Sequence, residues 1–294
     1  MTSRTATLTG FAAILLWSFL ATLTVATGAV PPFQLAAMTF ALGALTGPLG
    51  WTAAWLLRRE RRPLPRVPAL AWAVGVGGLF GYHALYFLAL RLSPPAEAGL
   101  INYLWPLLIV LFSALLPGER LAWHHLAGVV LGLAGTVLLF AGRGASGAVW
   151  DFLPGFAAAF VAAFVWATYS VSSRLLAGVP TEAVAGFCLA TALLAALFHL
   201  VFEIPAWPAT APQWLAVLAL GLGPVGLAFY AWDIGMKRGD IRVLGAASYA
   251  APLISTLLLV LFGYAEASRA LALSAALIAA GGVLAAKDML MRRG

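Results

Sequence analysis

A chain of 294 residues that is 63% hydrophobic and only 9% charged falls outside the range of soluble domains, which are roughly 45–50% apolar and 25% charged. Apolar runs of more than about 18 residues recur along it, each long enough to cross a bilayer as a helix, and the alternation over roughly ten residues that marks a membrane β-barrel strand is absent. The formal charge of +7 reads as loop charge on the cytoplasmic side and excludes the need for a nucleic-acid partner, and the single cysteine, Cys188, excludes an intrachain disulfide or a cysteine metal cluster.

The start, MTSRTATLTGFAAILLWSFL, has the basic prefix of a signal peptide. Its apolar run continues past any small-residue cleavage point, so it is read as a retained first helix. Ten helices are predicted in all, over Thr7–Thr27, Pro32–Leu57, Val67–Leu90, Glu97–Leu116, Trp123–Ala141, Leu153–Leu176, Thr181–Glu203, Pro212–Met236, Ile241–Tyr264 and Ser268–Asp288. Pro31, Pro32, Pro94, Pro95, Pro180, Pro205, Pro208 and Pro212 mark joins between them, because a proline inside a helix removes a hydrogen bond. With the N-terminus inside, only Arg91, Arg143 and Arg269 of the 17 basic residues fall outside. That bias predicts both termini in the cytoplasm.

In the first helix, Trp17 lies about ten residues from the inner end, which at 1.5 Å per residue is near mid-membrane. Trp166 of the sixth helix sits at a similar depth. Tryptophans facing lipid prefer the headgroup level, so a central pair is expected to line a cavity. In the third helix, Tyr82 and Tyr86 share a face by their i,i+4 spacing, and His83 and Phe87 share the neighbouring one. A histidine at that depth faces protein or water rather than lipid. It is expected either to bind substrate or to hydrogen-bond a backbone carbonyl on a glycine-rich neighbour.

The fourth helix carries Asn102, Tyr103, Trp105 and Pro106. Kinking at Pro106 is expected to leave the carbonyl of Asn102 without its helical partner, beside an amide side chain. A substrate ammonium could be held there, with its ring stacked on an aromatic side chain. The arrangement recurs in the ninth helix as Ser248, Tyr249 and Pro252, so Pro106 and Pro252 are candidate hinges. Thr168, Tyr169 and Ser170 follow Trp166 and could complete the opposite wall. Asp233 is the carboxylate set well within a predicted helix, four residues before Lys237, where a local ion pair suffices. The cluster from Arg58 to Arg66 is a topology anchor, and Glu119, Arg120, Glu266 and Arg269 read as turn or capping residues.

The recurrence extends further. The block AGLINYLWPLLIVLFSALLPGERLAWHHLAGVVLGLAG returns as GAASYAAPLISTLLLVLFGYAEASRALALSAALIAAGGV, and Trp17 and Pro31 keep the same offset as Trp166 and Pro180. Residues 1–142 are therefore read as a first five-helix repeat, 143–151 as a linker and 152–294 as a second repeat. An odd number of helices per repeat inverts the second in the membrane, the usual source of inward-open and outward-open states.

On these two blocks the chain resembles the drug/metabolite transporter superfamily, in its EamA-type branch of ten-helix exporters. The resemblance implies an all-α polytopic membrane protein with two inverted five-helix repeats around a central cavity. The stretches GYHALYFLAL and NYLWPLL are similar to the aromatic amino acid exporters within it. The second block departs from the motif, with Glu266 slipped by one position and no Pro-Gly turn.

Absences narrow the chemistry. No glutamate lies in the first helix to run a cation–proton exchange, and no buried pair of basic residues awaits a phosphate. Lys237 and Lys287 sit at helix ends, and His83, His124, His125 and His199 have no metal-ligand spacing. No cofactor and no enzymatic activity are expected. The reading is an inner-membrane exporter of aromatic or large neutral amino acids, working without a central carboxylate as a facilitator. Its partners are the substrate and the bilayer, and a monomer fits. The substrate site is expected at Trp17, Tyr82, His83, Tyr86, Asn102, Tyr103, Trp105, Trp166, Tyr169, Ser248 and Tyr249. The alternative is another amphipathic metabolite or a hydrophobic drug as substrate in the same fold; with a drug, replacing His83 and Asn102 by apolar residues would leave transport intact.

Overall fold

The computed structural model describes residues 2–58, 67–113, 122–141, 148–176, 178–239, 244, 247–285 and 287, and among them there is helix and no strand. The chain runs through α1 (Ser3–Ser18), α2 (Leu20–Ala26), α3 (Pro32–Arg58), α4 (Ala69–Leu92), α5 (Pro95–Asn102), α6 (Trp105–Ser113) and α7 (Trp123–Ala141). A short α8 (Ala148–Asp151) leads into α9 (Leu153–Leu175), α10 (Ala183–Phe202), α11 (Ala211–Leu222) and α12 (Ala228–Arg238). It ends with α13 (Ala251–Leu261) and α14 (Arg269–Ala285). Five of the described helical stretches are long and apolar enough to cross a membrane: Ser3–Ala26, Ala69–Leu92, Leu153–Ser172, Ala183–Phe202 and Ala211–Gly235.

Local sequence explains most ends. The Thr2 side chain accepts the Thr5 N–H to cap α1, and Thr210 with Gln213 forms a capping box on α11. Pro32, Pro95 and Pro212 open their helices, where the missing N–H costs nothing.

The predicted continuous helix over Glu97–Leu116 is instead two. Between α5 and α6 the chain turns at Tyr103–Leu104, where the Leu104 N–H donates to Ile101 O at 3.1 Å. The ninth predicted helix turns the same way, with the Ala250 N–H on Ala247 O at 3.0 Å. Pro106 and Pro252 each become the second residue of a new helix. A proline costs about 3 kcal/mol inside a helix and almost nothing in its first turn, so the chain breaks upstream instead of kinking. The first and eighth predicted helices are also interrupted, at Phe19 and by a π-helical turn over Gly223–Leu227 that holds Pro224.

The packing falls into pairs. Helix α3 lies along α10 and α7 along α14; α1 packs on α12, and α4 on α9. The broken helices pack around these pairs, with α5 and α6 against α9, and α13 against α14, α1, α2 and, across to the other half, α5. One group therefore gathers α1, α2, α12 and α13, and another gathers α4, α5, α6 and α9. Glycines let α7 and α14 approach at backbone distance: a Cβ on Gly281 would lie 2.5 Å from Gly128 O, and one on Gly135 2.9 Å from Ser274 O. Helices α3 and α10 are tied at one end by Glu203, whose carboxylate accepts the Phe33 N–H at 2.8 Å, the Gln34 N–H at 2.9 Å and His199 Nδ1–H at 2.9 Å. The first free N–H groups after Pro32 thus receive an anion, as a helix N-terminus favours.

Candidate substrate site

Between the two groups lies a cavity with room for water-sized molecules of about 30 Å³. Ile14, Trp17, Leu20, Phe229, Ser248 and Ala251 form one wall, and Tyr82, His83, Tyr86, Asn102, Tyr103, Trp105 and Trp166 the other. Spacing explains the first wall, because Ile14, Trp17 and Leu20 recur at i,i+3 on one face of α1 and the start of α2.

Trp166 is the centre of the ring cluster. Its ring centroid lies 4.8 Å from Tyr82, 5.2 Å from Tyr169, 6.0 Å from Trp17 and Phe229, and 6.4 Å from Trp105. The Trp17 indole N–H donates to Pro224 O at 3.1 Å, across 207 positions of sequence, and its ring tilts against Trp232 at 5.2 Å. The π turn supplies this contact, since Ala228 N–H there reaches back to Gly223 O instead of one residue nearer.

Polar groups are few and mostly engaged. His83 is 1% exposed and pairs with Leu79 O at 2.9 Å through Nδ1. A carbonyl only accepts, so Nδ1 carries the proton and Nε2 of the neutral ring is an acceptor. The carbonyl belongs to its own helix rather than to a neighbour. Ser248 Oγ donates to Leu244 O at 2.9 Å. Asn102 Nδ2 donates to the Tyr82 hydroxyl at 2.9 Å, while its Oδ1 is buried without a partner among the described residues. A buried acceptor left unpaired costs about 1–3 kcal/mol, so this point of the wall is short of one N–H donor. Among the described residues, no carboxylate and no cation line the cavity.

Nine of the residues expected from sequence thus meet around one space: Trp17, Tyr82, His83, Tyr86, Asn102, Tyr103, Trp105, Trp166 and Ser248. Tyr169 and Tyr249 lie behind the walls. Tyr169 packs on Gly78, where a Cβ would come within 2.5 Å of its ring, and Tyr249 fills the space beside Gly282. Sequence reading missed Phe229, Trp232 and Pro224. The signal was the proline set between glycines in GLGPVGL, followed by aromatics at i+5 and i+8. Asp233, expected to pair with Lys237, accepts the Thr181 hydroxyl; the Lys237 side chain lies outside the described residues. Glu119, Arg120 and Arg59 to Arg66 lie outside them as well, whereas Glu266 and Arg269 are exposed at a turn and a helix start.

The sequence profile of the EamA-like transporter family matches residues 4–141 and 153–287. A relative from Ancylobacter novellus, named aromatic amino acid exporter YddG, is 58% identical over the whole of both chains. Proteins of the same name from Salmonella typhimurium and Escherichia coli are 29% and 27% identical, each covering 88% of both chains. A crystal structure of a protein 59% identical to this one superposes with a TM-score of 0.75 over 96% of this chain and 98% of the other. By a profile that spans nearly the whole chain and a relative of equal length, the chain belongs to the EamA-like transporter family, a multi-pass membrane transporter and not an enzyme.

Proposed function

We propose that the protein exports aromatic and large neutral amino acids across the bacterial inner membrane by alternating access. The observation that carries this reading is the cavity itself, with aromatic rings on both walls and one buried amide oxygen, Asn102 Oδ1, that lacks a hydrogen-bond donor. An ammonium group meets that need, and the rings offer faces to an aromatic side chain. The names of the relatives from Ancylobacter, Salmonella and Escherichia agree with such a substrate.

A space of about 30 Å³ holds about one water, and small-molecule pockets run to roughly 300–1,000 Å³. The two groups must therefore part to admit an amino acid. In our reading the chain is two inverted five-helix repeats, and the pairing of helices supports it. Exchanging halves turns the contact of α1 with α12 into that of α9 with α4, and leaves α3–α10 and α7–α14 as self-paired scaffolds. The turns at Tyr103 and Tyr249, with Pro106 and Pro252 just beyond, are the hinges. Both termini face the cytoplasm. With no carboxylate among the described residues of the cavity wall to carry a proton, substrate moves down its own gradient in this reading.

Counterflow in liposomes of purified protein, without an ion gradient, tests the reading. Labelled tryptophan and phenylalanine should exchange saturably and faster than a neutral aliphatic amino acid. Absence of exchange for all three would remove the substrate assignment, and exchange that needs a proton gradient would remove the facilitator.

A further inference from the structure

A charged side chain at the C-terminal end of α4 lies just beyond this cavity. Arg91 is partly buried, and its Nη2 donates to Thr27 Oγ1 at 2.9 Å and to Thr24 O at 3.4 Å. Both acceptors are neutral. Its Nε is buried with no partner, and no carboxylate reaches it among the described residues. A guanidinium has five N–H donors in a rigid fork suited to a carboxylate, and here the Nε–H edge of that fork is unused. Capping the C-terminal turn of α2 accounts for Nη2 but not for the idle Nε.

Its position follows from helix geometry. His83, Phe87 and Arg91 succeed one another at i,i+4, which carries the stripe about 12 Å beyond His83. Across from it, Thr24 and Thr27 continue the face of Leu20, a cavity residue. Arg91 thus bridges the two helix groups just beyond the cavity, where a leaving substrate must pass. Meanwhile the described residues of the cavity wall offer no cation to a carboxylate.

We propose that Arg91 is a specificity-determining residue that receives the carboxylate of the outgoing amino acid. This rests on the amino acid export reading above. As the groups part, the guanidinium leaves Thr27 and Thr24 O and takes the carboxylate with two charge-assisted hydrogen bonds, which exceed those to neutral oxygens in strength.

The test compares counterflow of tryptophan with that of tryptophan amide, which keeps the ring and amine but lacks the carboxylate. The unchanged protein should favour tryptophan by about tenfold in 1/KM, the scale of a charged hydrogen bond. Arg91→Gln should collapse that preference, and Arg91→Lys should retain part of it. Equal handling of both compounds by the unchanged protein overturns the proposal, whether or not the variants fold. So does an equal loss for both in Arg91→Gln, the mark of a helix cap alone. If the unchanged protein moves neither tryptophan nor its amide, the substrate reading fails first and the role of Arg91 falls with it.

Discussion

Asn102 and Tyr82 illustrate how much one polar pair can decide in a nearly apolar interior. Their hydrogen bond joins α5 to α4 beside the cavity, and the spare Oδ1 is what distinguishes the site from a greasy void. Asn102→Leu should raise KM for tryptophan by about tenfold, since it removes an ammonium acceptor worth about 1–3 kcal/mol. Uptake of a hydrophobic dye should be little changed, and a parallel fall for both compounds would argue for misfolding instead. The residues of this site were legible where spacing on one helix was enough, as with Tyr82 and Tyr86 on α4. They were not legible across helices. Nothing local to Phe229 or Trp232 announces that Pro224 O will take the indole N–H of Trp17, because that contact exists only once α1 and α12 are side by side.

The repeated prolines predicted an irregularity in the fourth and ninth helices, and its type was decided by cost. A break that places Pro106 and Pro252 in a first turn is cheaper than a kink, and each break is closed by the same i→i−3 bond. Glycines make a second point about elements. In α7 and α14 they are contact surfaces, and Gly281→Ala should lower the thermal midpoint in detergent, by overpacking worth about 1–3 kcal/mol. Gly77 on α4 has nothing within 4 Å of its virtual Cβ, so Gly77→Ala should leave the midpoint unchanged or raise it slightly, as helix propensity favours alanine by about 0.5–1 kcal/mol. A differential scan of the two variants separates the roles that the sequence alone leaves identical.

Across the whole molecule, charge bias and the odd number of helices per repeat predict both termini on the cytoplasmic face. Green fluorescent protein fused to either end should fluoresce, and alkaline phosphatase fused there should be inactive; the reverse at one end would mean an odd number of spans. Membrane class is a one-dimensional property, written in hydropathy, and the sequence determined it by itself, while the repeat boundaries and the cytoplasmic loops are what proline spacing and the placement of Lys and Arg predict. Which helices pair, and which face turns inward, came only with the tertiary structure. In water a helix shows its buried face by alternating apolar and polar residues. In lipid both faces are apolar, as exposed Leu126, Val130, Leu133 and Val137 on α7 show, so packing of glycines, rings and a few hydrogen bonds makes the choice.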